Sequence, residues 1–281
     1  MQRIGVIGAG TMGHGIAQVS AQAGLEVVLA DADAGALARG VEAVRKNLDK
    51  GVEKGKVTAA DRDAALARIR TGDLAAAAEG ADFVVEAVPE RLALKQELLA
   101  QVEATAPAGC VLGTNTSSLA IRSIGEGLKD PGRLIGTHFF NPVHLMPLLE
   151  LVVADATRPE ALDRARVLGA MLGKDVIVVK DRPGFATSRL GVALGMEAIR
   201  MVQEGVASAE DIDKAMVLGY RHPMGPLRLT DLVGLDVRMH IGSYLAEALG
   251  NAAFEPPALM REMVAEGRLG KKSGRGFYDW G

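Results

Sequence analysis

The chain has 281 residues, of which 48% are hydrophobic and 24% are charged, and its formal net charge is −3. This length allows one large domain or two of ordinary size, with enough apolar residues for a sizeable core. The slight acidic excess and the lack of a dense basic face argue against nucleic acid as the main partner.

Targeting and redox signals are few. The single cysteine, Cys110, excludes a disulfide framework and a cysteine-based zinc site, so no metal site is expected and a reducing compartment is indicated. No stretch is long and apolar enough to span a membrane, and the chain runs from Met1 directly into a predicted strand without a signal peptide. We therefore expect a cytoplasmic protein that does not bind membranes.

The first thirty residues predict a dinucleotide-binding unit. A short apolar strand is followed by a glycine-rich turn, a helix that ends at Gly24, and a second strand that ends at Asp31. The turn has the G-x-G-x-x-G pattern and is formed by Gly8, Ala9, Gly10, Thr11, Met12 and Gly13. Such glycines permit a tight turn, close approach of the pyrophosphate and close helix packing, and the helix N-terminus attracts phosphate.

Asp31 follows Gly10 by 21 residues, which is the usual spacing for the acid that binds the adenine ribose. Its carboxylate would repel a 2′-phosphate, and no arginine follows it closely, so NAD is favoured over NADP as the cofactor. The alternative is a glycine-rich turn that holds no ligand.

Residues 33–70 predict a long, charged helical arm. An apolar stripe runs along one face from Ala36 to Val52, and lysines such as Lys54 occupy the other faces. The arm is either a solvated helix surface or a cationic element that contacts a phosphorylated substrate.

Two further strands, at residues 82–88 and 110–113, end next to polar residues. Glu90 and Lys95 follow the first strand, and a cluster that contains Ser117 and Ser118 follows the second. Ligands in open α/β sheets bind beyond the carboxyl ends of the strands, which makes these residues candidates for the cofactor site. Alternatively, Glu90 and Lys95 are ordinary first-turn residues of helix 92–104, and Ser117 or Ser118 caps a helix that starts near Leu119.

His138 and Glu150 are the candidates for acid–base chemistry. His138 stands where an apolar strand gives way to Asn141-Pro142, and Glu150 lies inside the next apolar strand. A glutamate in such a strand is buried on one side and needs a partner, for which His138 is the nearest candidate. A His–Glu pair supplies a base with a fixed tautomer. The alternative is a core histidine and an unrelated glutamate.

The rest of the chain predicts a change of architecture. A helix at 158–173 and a strand at 175–179 complete the sheet, and turn residues 181–184 mark a domain boundary. Beyond it the pattern is helical at 185–204, 208–218, 226–249 and 256–267, and the aromatic residues of the tail indicate that it packs. The fold class is thus α/β: a Rossmann-type NAD-binding domain at 1–183 with the helical arm, followed by a mostly α-helical substrate and dimerisation domain at 184–281.

Taken together, these motifs resemble the L-3-hydroxyacyl-CoA dehydrogenase family, and within it the bacterial 3-hydroxybutyryl-CoA dehydrogenases are most similar. The resemblance covers essentially the whole chain. It rests on segments 8–13 with Asp31, 85–88, 115–119, 138–142, 183–185, 219–226 and 270–278.

The resemblance implies roles for individual residues. His138 matches the catalytic general base and acid, Glu150 its carboxylate partner, and Ser117 the serine that contacts both substrate and nicotinamide. Lys54 matches a lysine that binds the CoA phosphates, and Asn47 a neighbouring CoA contact where relatives carry serine. The residues that match positions lining the NAD site are Glu90, Lys95, Asn141 and Lys272, and Asn141 also matches a substrate contact.

One residue departs from the family pattern. The family commonly has Asn in a Gly-Phe-x-x-Asn-Arg string, whereas this chain has Ser188 at that position. A serine hydroxyl still donates and accepts a hydrogen bond but reaches less far than an amide. Ser188 is therefore a candidate catalytic-site residue whose substitution bears on how the reacting oxygen or the thioester is held.

The resemblance implies reversible NAD-dependent oxidation of an L-3-hydroxyacyl-CoA, such as 3-hydroxybutyryl-CoA, to the 3-oxoacyl-CoA by a homodimer that associates through its helical domain. Alternatives on the same scaffold are a 3-hydroxyadipyl-CoA dehydrogenase and a dehydrogenase of free hydroxy acids such as L-gulonate. A dehydrogenase class that uses lysine as its acid–base group is disfavoured by the His138–Glu150 pair. A non-catalytic NAD-binding protein is a further alternative.

Overall fold

A computed structural model describes residues 1–281, and the chain divides into two compact units, Met1–Asp181 and Arg182–Gly281. The predicted domain boundary lies two residues further along the chain, after residue 183. No helix is long and apolar enough to cross a lipid bilayer.

The first unit is built on an eight-stranded sheet with the order β3-β2-β1-β4-β5-β6-β7-β8. Strands β1 to β6 are parallel, and the direction of the chain across the sheet reverses between β1 and β4. This order is that of a dinucleotide-binding sheet, so the predicted α/β class with a Rossmann-type sheet is confirmed. The strands are β1 Arg3–Ile7, β2 Glu26–Ala30, β3 Ile69–Gly72, β4 Phe83–Glu86, β5 Val111–Thr114, β6 Leu134–Phe139, β7 Leu148–Val153 and β8 Asp175–Lys180.

The last two strands differ in direction from the first six. Strand β7 runs antiparallel to β6, and β8 runs parallel to β7 at the edge of the sheet. In the β6–β7 register, His138 lies directly opposite Glu150. Directly opposed residues in an antiparallel pair point to the same face of the sheet, so the backbone itself brings these two side chains together.

Helices cover the faces of this sheet. Their contacts with the strands are apolar, and Ile16, Leu29, Leu48 and Phe83 are among the fully buried side chains. Strands covered on both faces are near-continuous apolar runs, which is why the sequence pattern located most of them. The helices of the first unit are α1 Thr11–Gln22, α2 Ala34–Glu53, α3 Ala59–Ala67, α4 Leu74–Ala78, α5 Leu92–Thr105, α6 Ile121–Gly125 and α7 Pro159–Met171.

The arm differs from its prediction in two respects. It consists of two helices, because α2 ends at Glu53 and α3 starts only after Thr58, whose hydroxyl accepts a hydrogen bond from the Asp61 N–H. In addition, its last predicted residues belong to the short edge strand β3, which the sequence pattern did not indicate.

The second unit is helical, as predicted, and has its own apolar core. Its helices are α8 Thr187–Gln203, α9 Ala209–Gly219, α10 Pro226–Val233, α11 Leu235–Leu249 and α12 Ala258–Ala265. The helix predicted at 226–249 is two helices, because Gly234 has a φ of 104° and interrupts the helical backbone between α10 and α11.

The C-terminal tail is anchored by one buried carboxylate, that of Asp231 on α10. It accepts hydrogen bonds from the Phe277 and Tyr278 N–H groups at 3.0 and 2.9 Å and from the Trp280 indole N–H at 2.9 Å. The Arg228 guanidinium lies over the rings of Tyr278 and Trp280. The tail therefore packs, as its aromatic residues indicated.

Candidate active site

The glycine-rich turn connects β1 to α1, beside the point where the sheet order reverses. A Cβ atom added to Gly13 would lie 1.6 Å from the Gly8 carbonyl oxygen, so only glycine permits this close packing of helix and strand. A Cβ atom added to Gly10 would meet no atom within 4 Å. The backbone at Gly10 therefore faces open space at the N-terminus of α1, where a pyrophosphate is favoured.

Asp31 follows β2 at the same edge of the sheet. Its Oδ2 accepts a hydrogen bond from the Ala9 N–H at 2.7 Å, and its Oδ1 accepts one from the Asp33 N–H at 2.9 Å. These bonds orient the carboxylate beside the glycine-rich turn and leave lone pairs on both oxygens for ribose hydroxyls. The open backbone at Gly10 and the placement of Asp31 fit a bound dinucleotide.

His138 and Glu150 form a buried hydrogen-bonded pair. Nδ1 of His138 lies 2.8 Å from Oε2 of Glu150, whose side chain is fully buried. Because an ionised carboxylate only accepts hydrogen bonds, Nδ1 carries the proton and the neutral ring has its basic lone pair on Nε2. The Phe140 ring lies 4.4 Å from the imidazole and packs on it at an angle of 48°.

Glu86, Lys95 and Glu90 form a second charged group, at the carboxyl end of β4. The buried Lys95 ammonium donates to Glu86 Oε1 at 2.7 Å and to the Val88 carbonyl at 3.3 Å, and it pairs with Glu90 Oε2 at 3.3 Å. Glu86 is also buried and accepts from Val88 N–H and the Thr114 hydroxyl, both at 2.7 Å. These three contacts account for the three ammonium protons of Lys95, which therefore joins Glu86 and Glu90 within the protein.

Glu90 holds the loop that carries Ser117. Its Oε1 accepts hydrogen bonds from the Thr116 hydroxyl at 2.5 Å and from the Ser117 and Ser118 N–H groups at 2.9 and 3.1 Å. Burial alone would raise the pKa of Glu90, but the Lys95 ammonium and these donors outweigh it and hold the pKa below its ordinary value of 4.5.

The predicted helix cap at Ser117 or Ser118 is wrong. Helix α6 begins at Ile121 with Ala120 as its N-cap, and no side chain caps it. The Thr116 hydroxyl instead accepts from the Leu119 N–H at 2.9 Å, so the loop is stabilised within itself. Asn115 links this loop to the acid–base pair, because its Oδ1 accepts from the N–H of Phe139 at 2.9 Å.

A cleft of about 600 Å³ runs beside α1 and the end of α2. Three predicted ligand-binding residues, Asn47, Lys54 and Asn141, line it together. Lys50 and Lys56 add positive charge at the same wall, which the imidazole rings of His14 and His144 also line. The combination of ammonium groups, an amide and an open cleft suits a phosphate-bearing ligand.

Two predicted site residues lie in the helical unit. Ser188 is on the first turn of α8, and the Lys272 ammonium pairs with the Asp236 carboxylate at 2.6 Å. Lys272 therefore has a carboxylate partner within its own unit, and its predicted contact with the cofactor stays a prediction.

Sequence reasoning did not identify the supporting residues Glu86 and Thr116. Glu86, like Glu150, is a carboxylate within an apolar strand. The argument that a buried carboxylate needs a partner therefore applies to Glu86 as well and would have identified it. Thr116 lay within the polar cluster but carried no feature that distinguished it from its neighbours. No group of three or more His, Cys, Asp or Glu side chains is arranged to hold a metal ion.

The two units each match a family description. Residues 3–182 match "3-hydroxyacyl-CoA dehydrogenase, NAD binding domain", and residues 184–280 match "3-hydroxyacyl-CoA dehydrogenase, C-terminal domain".

Individual relatives agree with this. A 3-hydroxybutyryl-CoA dehydrogenase from Mycobacterium tuberculosis is 44% identical over 284 residues, which cover 100% of this chain and 99% of the relative. A 3-hydroxyadipyl-CoA dehydrogenase from Escherichia coli K12 is 42% identical over 100% of this chain and 59% of the relative. The crystal structure of (S)-3-hydroxybutyryl-CoA dehydrogenase from Ralstonia eutropha is similar, with a TM-score of 0.96, 40% identity, and coverage of 100% of this chain and 99% of that chain.

Proposed function

The chain belongs to the 3-hydroxyacyl-CoA dehydrogenase family of NAD-dependent oxidoreductases, as its motifs predicted, and on that premise we propose that it oxidises L-3-hydroxybutyryl-CoA to acetoacetyl-CoA. The reaction is reversible. The single observation that carries the proposal is the buried hydrogen bond between His138 and Glu150.

In this reaction His138 is the general base. Its Nε2 takes the proton of the substrate 3-hydroxyl, and the ring becomes an imidazolium whose Nδ1–H already faces the Glu150 carboxylate. Glu150 stabilises this cation and prevents the ring from turning. The glycine-rich turn and Asp31 would hold NAD⁺, which when bound would supply the hydride acceptor for C3. In the reverse direction the imidazolium returns its proton to the 3-oxo group.

Ser117 and Asn141 hold the substrate oxygens and the nicotinamide in line. Support for Ser117 comes from its loop, whose backbone is tied to Glu90 by two N–H donors. A loop fixed in this way positions a hydroxyl without further loss of entropy when the substrate binds. The role of Asn141 rests on the motif position that it occupies.

The CoA part of the substrate binds in the cleft beside α2. Lys54 contacts its phosphates and Asn47 a neutral group, since both line the cleft with Lys50 and Lys56. A free sugar acid has no polyphosphate to use these lysines, which weighs against an L-gulonate-type dehydrogenase. Replacing Lys54 with methionine therefore raises KM for the CoA ester and leaves KM for a free 3-oxo acid unchanged.

The first experiment is to follow NADH consumption with acetoacetyl-CoA and with free acetoacetate, each repeated with NADPH. Fast turnover of the ester with NADH alone supports the proposal. Activity only on free acetoacetate would favour a dehydrogenase of free hydroxy acids such as L-gulonate. NADH binding without any turnover would favour a non-catalytic protein.

The second candidate substrate is 3-hydroxyadipyl-CoA, which is favoured by the 42% identity to the enzyme of that name. The two candidates differ in chain length and in a terminal carboxylate. A comparison of kcat/KM for acetoacetyl-CoA and 3-oxoadipyl-CoA decides between them.

For the assembly we propose a homodimer in the cytoplasm that associates through the helical unit. Large apolar side chains on this unit are exposed, with Leu190 at 72%, Leu218 at 69% and Tyr220 at 76%. Interaction sites expose large apolar side chains in one contiguous patch, and we assign these side chains to such a patch. Light scattering after size exclusion tests the proposal, with Leu218→Glu expected to yield monomers and Val167→Glu, on α7 of the first unit, to leave the dimer intact.

A further inference from the structure

Three side-chain amides form a hydrogen-bonded chain along the wall of the cleft. The Asn47 amide Nδ2 donates to Gln18 Oε1 at 3.1 Å, and Gln18 Nε2 donates to Gln22 Oε1 at 3.3 Å. All three residues line the cleft together with Lys54. Gln18 is in the middle of the chain and is only 2% exposed.

The two hydrogen bonds run in one direction, from Asn47 to Gln22, and together they satisfy both the acceptor and the donor of the buried Gln18 amide. Gln18 uses its oxygen for Asn47 and its nitrogen for Gln22. One N–H of the Asn47 amide is therefore committed to Gln18, and Asn47 Oδ1, which accepts no hydrogen bond from the rest of the protein, is available to a ligand.

We propose that Gln18 is a positioning residue that fixes the Asn47 amide so that its oxygen accepts a hydrogen bond from an N–H group of the CoA carrier. The inference rests on the acyl-CoA substrate proposed above. CoA offers such donors in two places, the adenine amino group and the amides of its pantetheine arm.

The position of Asn47 on α2 supports this assignment. Asn47, Lys50 and Lys54 lie three and seven residues apart, which places them on one face of the helix within about 11 Å. Lysines at one end of this face suit the phosphates of the carrier, and a neutral acceptor at the other end suits an uncharged part of the same molecule. The lysines supply attraction, and the amide chain supplies selectivity for a donor group.

The test measures kcat and KM for NADH-dependent reduction of three thioesters: acetoacetyl-CoA, acetoacetyl-pantetheine and S-ethyl acetothioacetate, the last of which has no N–H group. The variants are Gln18→Met, Asn47→Leu and the double variant, with Gln101→Met on the exposed face of α5 as the control for the glutamine-to-methionine change. Thermal unfolding of each variant is measured in parallel.

For acetoacetyl-CoA we expect Gln18→Met and Asn47→Leu each to raise KM about fivefold, the effect of one neutral hydrogen bond, with kcat unchanged. The double variant should be no worse than Asn47→Leu, since Gln18 acts through Asn47. For the S-ethyl thioester, which has no N–H donor, no variant should change KM. An effect that persists with the pantetheine ester assigns the donor to the pantetheine arm, and one that disappears there assigns it to adenine.

Three results would overturn the inference: an unchanged KM for acetoacetyl-CoA in both single variants, an equal rise in KM for all three esters, or a full sum of the two effects in the double variant. If Gln18→Met proves unstable, Asn47→Leu alone still tests the contact, because Asn47 lies at the cleft surface. A wild-type protein that does not reduce acetoacetyl-CoA would instead refute the proposed function.

Discussion

His138 and Glu150 are register partners on antiparallel strands, and the 2.8 Å hydrogen bond between Nδ1 and Oε2 joins two side chains that the backbone already holds opposite one another. The pair does not depend on a mobile loop. Two buried, paired strands fix both residues, which is the preorganisation that a proton-transfer step requires.

The first prediction concerns this pair. His138→Gln should lower kcat by about 10²–10⁴-fold, the usual contribution of a positioned base. Glu150→Gln should lower kcat by a smaller factor, because the imidazolium that forms on His138 loses its counter-charge. Stopped-flow and steady-state rates with acetoacetyl-CoA provide the measurement.

The control for this pair is the double variant. Because Glu150 acts through His138, the double variant should be as slow as His138→Gln alone. NADH affinity, measured by fluorescence titration, should stay within about twofold of wild type in all three proteins. Loss of NADH binding in a folded His138→Gln protein would contradict the assignment.

The second prediction contrasts two glycines of the turn. Gly10→Ala places a methyl group in open space and should leave thermal stability unchanged while weakening NADH binding about tenfold or more, because the methyl occupies the approach of the pyrophosphate. Gly13→Ala drives a methyl group into the Gly8 carbonyl and should destabilise the unit itself. Equal NADH affinity in wild type and Gly10→Ala would place the dinucleotide elsewhere.

The third prediction is a pH dependence at Glu90. Because the pKa of Glu90 is lowered on folding, its carboxylate stabilises the native state above the ordinary value of 4.5, and this contribution is lost as the pH falls through the folded pKa. Wild type should exceed Glu90→Gln in melting temperature at neutral pH, and the difference should shrink below pH 4.5. Glu97→Gln, on the exposed face of α5, controls for the loss of one charge. A difference that is constant with pH would show that ionisation of Glu90 is not involved.

The fourth prediction concerns Ser188, which stands where the family commonly has asparagine. Ser188→Ala should lower kcat/KM for acetoacetyl-CoA about fivefold, the cost of one hydrogen bond to the substrate. Ser188→Asn should keep or raise the wild-type value, since the longer amide restores the usual reach. An alanine variant with wild-type kinetics would remove Ser188 from the site.

The fifth prediction is a stabilising substitution in the helical unit. Arg238 is buried against α8, its guanidinium donates to the Gly191 carbonyl, and burial lowers its pKa to about 10 without a carboxylate to compensate. This corresponds to about 3 kcal/mol of unfavourable burial. Arg238→Met should therefore raise the free energy of unfolding by about 1–3 kcal/mol, measured by chemical denaturation.

A contrasting variant tests the physical reason. Arg200→Met should destabilise, because the Arg200 guanidinium pairs with Glu197 at 2.9 Å and also donates to backbone carbonyls of residues 252–255. The pH dependence of the free energy of unfolding gives a second measurement. A base whose pKa is lowered on folding makes stability rise with pH from about 10 up to its ordinary pKa, and this rise should be absent in Arg238→Met.

Much of this architecture was predictable, because most strands of the first unit are apolar runs that end at a glycine or a polar residue. The exception is β3, whose four residues include the exposed Arg70 and Thr71 and so show no apolar run. The sequence pattern predicted one continuous helical arm because the helical spacing of its apolar residues gave little sign of the turn between α2 and α3. Only Gly55, with its positive φ, and Thr58, the N-cap of α3, mark that turn.

The site was predictable at the level of residue type and only partly at the level of contacts. Glu90 and Lys95 were expected near the cofactor because they follow a strand. Sequence spacing could not reveal that Lys95 turns inward to Glu86, since that depends on the packing of α5 against the sheet. The cross-strand pairing of His138 with Glu150 was inferable because a buried carboxylate required a partner.

The anchoring of Trp280 by Asp231 has a practical consequence for spectroscopy. Trp280 is the one tryptophan of the chain, and the three tyrosines, Tyr220, Tyr244 and Tyr278, also belong to the helical unit. Intrinsic fluorescence thus reports on that unit alone, whereas circular dichroism of the peptide backbone reports on both. Melting curves recorded with the two probes coincide only if the NAD-binding and helical units unfold as one cooperative body.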